Sequence, residues 1–249
     1  MSSLRSLLGK EATALFASPI AYVVIAVFLL LLGYTFTAFL FLNKTATLVH
    51  IFFQAAVLFL LIVPVLTMRQ FAEERKSGTL ELLLTAPVRE IDIVLAKFLA
   101  CMAVNILMLA LSLTYAFVLH AYGKPDWGPI YSGYLGLVLF TAALVALGLT
   151  VSALTTNQIV AATVSLGIFL VLWMIDTLGS LLPYPFDNMV TGISLLAHFT
   201  PFATGAMYLS DVGFFLSVIM LGRAQLRVRG LGQDEQGIKA SVDPGESQV

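Results

Sequence analysis

The sequence predicts an all-α polytopic membrane protein with six transmembrane helices and an amino-terminal amphipathic interfacial helix. Three observations carry this prediction. Apolar residues make up 59% of the 249 residues and charged residues only 11%, where soluble domains average about 25% charged. The uncharged runs are continuous and reach the roughly 20 residues that a helix needs to cross a hydrocarbon core of about 30 Å. The basic residues also gather in every second connection between those runs, so that nearly all lie on one side of the membrane.

The spans follow in order. Ile20–Leu42, Leu48–Met68, Phe98–Leu119, Ile130–Thr155 and Ile159–Ile175 are uncharged runs, and the third helix is expected to begin near Ile91. The sixth is shorter: Val212–Gly222 is uncharged but is closed off by Asp211 and Arg223. It crosses by drawing in residues towards Phe202 or by snorkelling Arg223 to the interface. Backbone polar groups have no partners in lipid, so these spans are helices. The alternation of a β-barrel is not seen. The first apolar run is longer than the 7–15 residues of a signal peptide, and is expected to be retained.

With the amino terminus in the cytoplasm, Arg5, Lys10, Arg69, Arg75, Lys76, Arg89, Lys97, Arg223, Arg227, Arg229 and Lys239 all fall inside, and only Lys44 and Lys124 outside. An even number of spans places Arg223–Arg229 on the same side as Arg75. The predicted organisation is an interfacial helix over 1–18, a membrane domain over 19–222, a cytoplasmic segment over 69–92, an outer loop over 179–210 broken by Pro183, Pro185 and Pro201, and a disordered polar tail over 223–249. Leu4, Leu7, Leu8 and Leu15 alternate with Arg5, Lys10 and Glu11 at helical spacing, which argues for the interfacial helix.

Composition excludes several functions. A net charge of −1 leaves no basic footprint for nucleic acid. The single Cys101 excludes an internal disulfide. His50, His120 and His198 lack metal-ligand spacing. No Gly-x-x-x-x-Gly-Lys-Ser/Thr loop occurs, so the chain does not hydrolyse ATP by the P-loop route. Asp176 reads as a solvated group at the end of the fifth span, and Asp211 as a cap of the last helix together with Ser210. Ala142, Ala146, Gly148 and Ser152 sit at close-packing intervals in the fourth span.

Between spans two and three, Ser77-Gly78 is a turn signal, and Leu80–Leu84 reads as a short helix limited by Pro87. By composition alone, such a helix either docks a soluble partner or rests on the headgroups.

The run Glu73-Glu74-Arg75-Lys76-Ser77-Gly78-Thr79-Leu80-Glu81-Leu82-Leu83-Leu84-Thr85-Ala86-Pro87-Val88 resembles the ABC-2 type permeases of ATP-binding-cassette transporters, and most of all the gliding-motility-associated branch. The likeness extends to Ser18-Pro19-Ile20, Lys97-Phe98, Thr155-Thr156-Asn157-Gln158-Ile159 and His198-Phe199. The resemblance implies a non-catalytic permease subunit of an exporter, in a bacterial-type inner membrane with both termini cytoplasmic. It implies a second copy of the permease, or a homologue, and two copies of a separate ATPase, which carry Mg-ATP; this chain itself holds no cofactor or metal. An extracytoplasmic accessory subunit fits the same scheme. Glu74, Arg75 and Gly78 match the Glu-Arg-x-x-Gly motif beside the coupling helix, and Thr79, Leu80, Glu81, Leu82 and Leu83 would form the docking surface. The rival readings are an ion-coupled secondary transporter, which calls for charges near the midplane and an internal repeat, and a non-transporting scaffold driven by an ATPase.

Overall fold

The structure is a computed structural model, described here for residues 2–43, 47–78, 90–123, 125–179 and 191–225. Among these residues the chain forms helices joined by short turns, and no strand. The helices are α1 (Ser2–Ala17), α2 (Pro19–Asn43), α3 (Val49–Lys76), α4 (Glu90–Tyr122), α5 (Trp127–Leu154), α6 (Gln158–Gly179), α7 (Leu195–Thr204) and α8 (Leu209–Gln225). Five of them, α2 to α6, are long and apolar enough to cross a membrane. Helix α8 has 17 residues, about 26 Å of helix.

Local chemistry sets the helix ends. Pro19 begins α2, where its missing N–H costs nothing. Asp126 caps α5 by accepting from Gly128 N at 3.1 Å, Asn157 caps α6 through Ile159 N at 2.9 Å, and Ser194 caps α7 through Ala197 N at 3.1 Å. Gly205, at φ +100°, closes α7 in the left-handed conformation that glycine adopts without strain.

Two helices run further than their apolar stretches. Helix α3 continues past Met68 to Lys76. Its 28 residues make about 42 Å, so roughly the last two turns project beyond a 30 Å core. Hydropathy marks where lipid contact stops, and the helix itself persists through Glu73-Glu74-Arg75-Lys76, all good helix formers. Helix α7 likewise runs through Pro201 to Thr204, so this proline does not break the segment as its type suggests.

Helix α5 is the centre of the bundle. It packs against α3, α4, α6, α7 and α8, and 78% of its membrane window is buried, against 22% for α2 and 17% for α6. Its small residues make this possible. The rings of Phe52 and Phe202 occupy the space where side chains on Gly133 and Gly136 would lie. A Cβ on Gly148 would lie 2.5 Å from Thr67 Oγ1. Ala146 meets Gly222 of α8, and Thr150 Oγ1 donates to Gly222 O at 3.1 Å. The spacing of Ala142, Ala146, Gly148 and Ser152 therefore does serve helix packing. Around Phe140 an aromatic cluster of Trp173, Phe199 and Phe215 joins α5 to α6, α7 and α8, with ring centroids 5.4–6.4 Å apart.

Candidate functional site

Helix α3 carries the charged run Glu73–Lys76 beyond its apolar part, and α4 begins at Glu90 with its first cation inside the bundle at Lys97. A lysine seven residues into a helix whose acids, Glu90 and Asp92, are confined to the first turn either snorkels or finds a partner. Lys97 finds two. Its Nζ lies 2.9 Å from Glu74 Oε1 and 3.2 Å from Glu11 Oε1, while the residue is 1% exposed. The ammonium also sits 5.2 Å from the centroid of the Phe71 ring. One buried cation thus ties together α1, the far end of α3 and the first turns of α4. Leu7, Leu15 and Phe16 of α1 pack against the core beside it, so the helix before the first span is seated on the bundle through both charge and apolar contact.

A second tie joins α3 to α5. Ser152 Oγ accepts from the N–H groups of Phe71 and Ala72, each at 3.2 Å, and donates to Met68 O at 3.0 Å. One turn further on, Arg75 Nη1 donates to Ala153 O at 2.9 Å. This places a cation at the carboxyl end of α5, where the helix dipole favours it. The chain then turns at Ser77-Gly78: Ser77 N donates to Glu73 O at 3.0 Å, and Gly78 adopts φ +69°. A side chain at Gly78 would be strained there.

Each described residue of the Glu-Arg-x-x-Gly pattern therefore has a distinct physical task. Glu74 joins the buried ion cluster, Arg75 caps α5, and Gly78 supplies a left-handed turn. Thr79, Leu80, Glu81, Leu82 and Leu83 lie outside the described residues, as do 180–190 and the tail from 226 onwards.

Lys97, Glu11 and Ser152 escape a reading of the sequence as members of one site. Lys97 figures there only as a cytoplasmic charge opening the third span, and Glu11 only as a polar spacer between leucines. The partners are 86 residues apart in sequence, and no local spacing encodes that pairing. The one local signal is that Lys97 is the sole cation within Ile91–Leu119.

At the other end of the bundle, Asp211 is not a helix cap. It lies in the first turn of α8, is 6% exposed, and its Oδ1 is 2.8 Å from His198 Nδ1. His198 Nε2 faces Gly192 O at 3.2 Å, and the ring stacks on Phe214 at 3.9 Å. This links α7 to α8. Asp176 lies in α6, half-buried near its carboxyl end. No group of three or more His, Cys, Asp or Glu side chains positioned to hold a metal occurs among the described residues.

No curated protein matches the chain. A family model described as ABC-2 family transporter protein matches residues 40–222. The match runs from the last turn of α2 to Gly222 in α8 and takes in the ion cluster's Glu74 and Lys97, the α3–α5 ties and the His198–Asp211 pair. With an all-helical bundle, five membrane-length helices and a family match over well more than half its length, this multi-pass membrane protein belongs to the ABC-2 family of transporter proteins.

Proposed function

We propose that the chain is the permease subunit of an ATP-binding-cassette exporter, resembling the gliding-motility-associated branch. It works in a bacterial-type inner membrane as a dimer with a second copy or a homologue. ATP hydrolysis belongs to a separate ATPase, two copies of which grip the segment 69–92. Helix α8 serves as the sixth span, α1 lies at the cytoplasmic interface, and both termini are cytoplasmic.

The observation that carries this reading is the Lys97 junction. The segment between α3 and α4 emerges from two helices clasped by Glu74–Lys97 and is backed by Arg75 on the end of α5. A force on such a segment reaches the central helix directly, as a coupling element requires. The exposed apolar residues of α2 and α6, such as Val23, Val27, Ile168 and Val171, leave these helices suited to lipid or to a second permease. Nucleotide drives transport here only through its different affinity for two arrangements of the complex. The buried ion cluster sits where α1, α3 and α4 meet at the charged end of the bundle. An ion-coupled carrier would place such charges at the midplane instead.

The test is co-purification. Leu80→Asp, Leu82→Asp and Leu83→Asp together are expected to abolish co-purification with the ATPase while the permease still inserts. Wild-type co-purification would refute the docking assignment.

A further inference from the structure

Where α1 turns into α2, a cleft of about 320 Å3 opens against the charged end of α3. Its apolar wall includes Leu15, Ile20 and Val65, and its polar wall is formed by Glu11, Arg69, Gln70, Glu73, Glu74 and Lys97. We propose that this cleft holds the headgroup of a membrane phospholipid bearing both a phosphate and a primary ammonium, in the leaflet at the Arg69 end. The proposal needs only that the chain spans a membrane, and stands apart from the ATPase coupling.

Three observations select this ligand. The first is charge. Glu11 and Glu74 are engaged with Lys97, whereas the exposed side chains of Arg69 and Glu73 make no ion pair among the described residues. Arg69 and Glu73 thus offer one plus and one minus charge, the complement of a zwitterion, and the second carboxylate of the Lys97 cluster leaves the lining as a whole more attractive to the ammonium than to the phosphate. The guanidinium matches a phosphate and the carboxylate an ammonium.

The second is a missing hydrogen bond. Gln70 is 5% exposed, and its Oε1 is buried with no hydrogen-bond partner among the described residues. Buried acceptors in native proteins are almost always paired. An amide oxygen calls for an N–H or O–H donor. Gln70 lines the cleft, and once its amide turns towards the opening a primary ammonium supplies that donor, whereas a trimethylammonium does not.

The third is the placing of apolar and polar walls. Leu15, Ile20 and Val65 adjoin the charged wall, and the face of α2 that carries Ile20 goes on to expose Val23 and Val27. Acyl chains running along that face leave the headgroup at the level of Arg69.

The test uses the purified full-length chain in detergent, equilibrated with equal amounts of phosphatidylethanolamine, phosphatidylcholine and phosphatidylglycerol of matched acyl chains, and read by native mass spectrometry. Phosphatidylethanolamine is expected to be retained about tenfold over phosphatidylcholine, the factor given by one good hydrogen bond. Gln70→Leu is expected to bring the two to parity. Arg69→Gln is expected to lower both, since both carry the phosphate. Glycerophosphoethanolamine, the headgroup without its chains, is expected not to displace the lipid at equal concentration. Equal retention of the lipids by the wild-type chain overturns the proposal. So does an undiminished preference in a Gln70→Leu chain whose helix content matches wild type, and so does displacement by the water-soluble headgroup. Should Gln70→Leu fail to fold, the wild-type ratio decides alone.

Discussion

Lys97 Nζ lies 2.9 Å from Glu74 Oε1, and this pair joins the helix that leads into segment 79–89 to the helix that leads out of it. Three charges share this buried site, two carboxylates to one ammonium. Removing Lys97 takes from both acids the ammonium they share. Lys97→Met is therefore expected to cost about 3–5 kcal/mol. Glu11→Gln keeps the shape and leaves Lys97 paired with Glu74, and is expected to cost about 1 kcal/mol. Thermal unfolding of the purified variants in detergent measures the order, and equal losses for the two would contradict a shared cation.

The crossing of α3 and α5 depends on the absence of a side chain at Gly148. Gly148→Ala puts a Cβ 2.5 Å from Thr67 Oγ1, and overpacking of this kind costs about 1–3 kcal/mol. Thr67→Ala in the same chain is expected to recover part of the loss, a coupling that a double-mutant cycle reads directly. Gly167, whose Cβ position is open, is the control: Gly167→Ala is expected to be neutral or slightly stabilising, since it improves the propensity of α6.

His198 and Asp211 hold α7 to α8 across a 2.8 Å contact. Asp211 Oδ2 already lacks a hydrogen-bond partner among the described residues. His198→Ala removes the partner of the other oxygen and the ring stacked on Phe214, with an expected loss of about 1–3 kcal/mol. His198→Phe restores the stacking alone and is expected to recover less than half of it. The readout is the midpoint of thermal unfolding.

The side on which the chain ends distinguishes five crossings from six. A reporter fused after Val249 is expected to be shielded from probes added to intact cells, as an even number of crossings requires. Labelling from outside would remove α8 from the set of spans.

Much of the architecture is legible from hydropathy, because lipid imposes one requirement, a long uncharged run, on every span. The expected Ile20–Leu42 and Ile130–Thr155 appear as Pro19–Asn43 and Trp127–Leu154. The packing role of Ala146 and Gly148 is legible too, since small residues at helical intervals allow backbones to approach. The reach of α3 to Lys76 is hidden, because hydropathy reports solvent and not helix. The joining of Glu11, Glu74 and Lys97 is hidden for a different reason: it depends on how three distant helices are placed, and each residue taken alone is an ordinary interfacial charge. Asp211 passes for a cap because an acid at the start of a helix usually is one; only the position of α7 supplies His198.

The hydroxyl of Ser152 is threaded among the backbone groups of Met68, Phe71 and Ala72, and this has a mechanical outcome. That one hydroxyl makes three bonds at once, and sliding α3 along α5 would break all of them together, so the crossing resists small displacements. Movement entering α3 at Lys76 is thereby steered into α5, the helix that carries Phe140 and its aromatic neighbours.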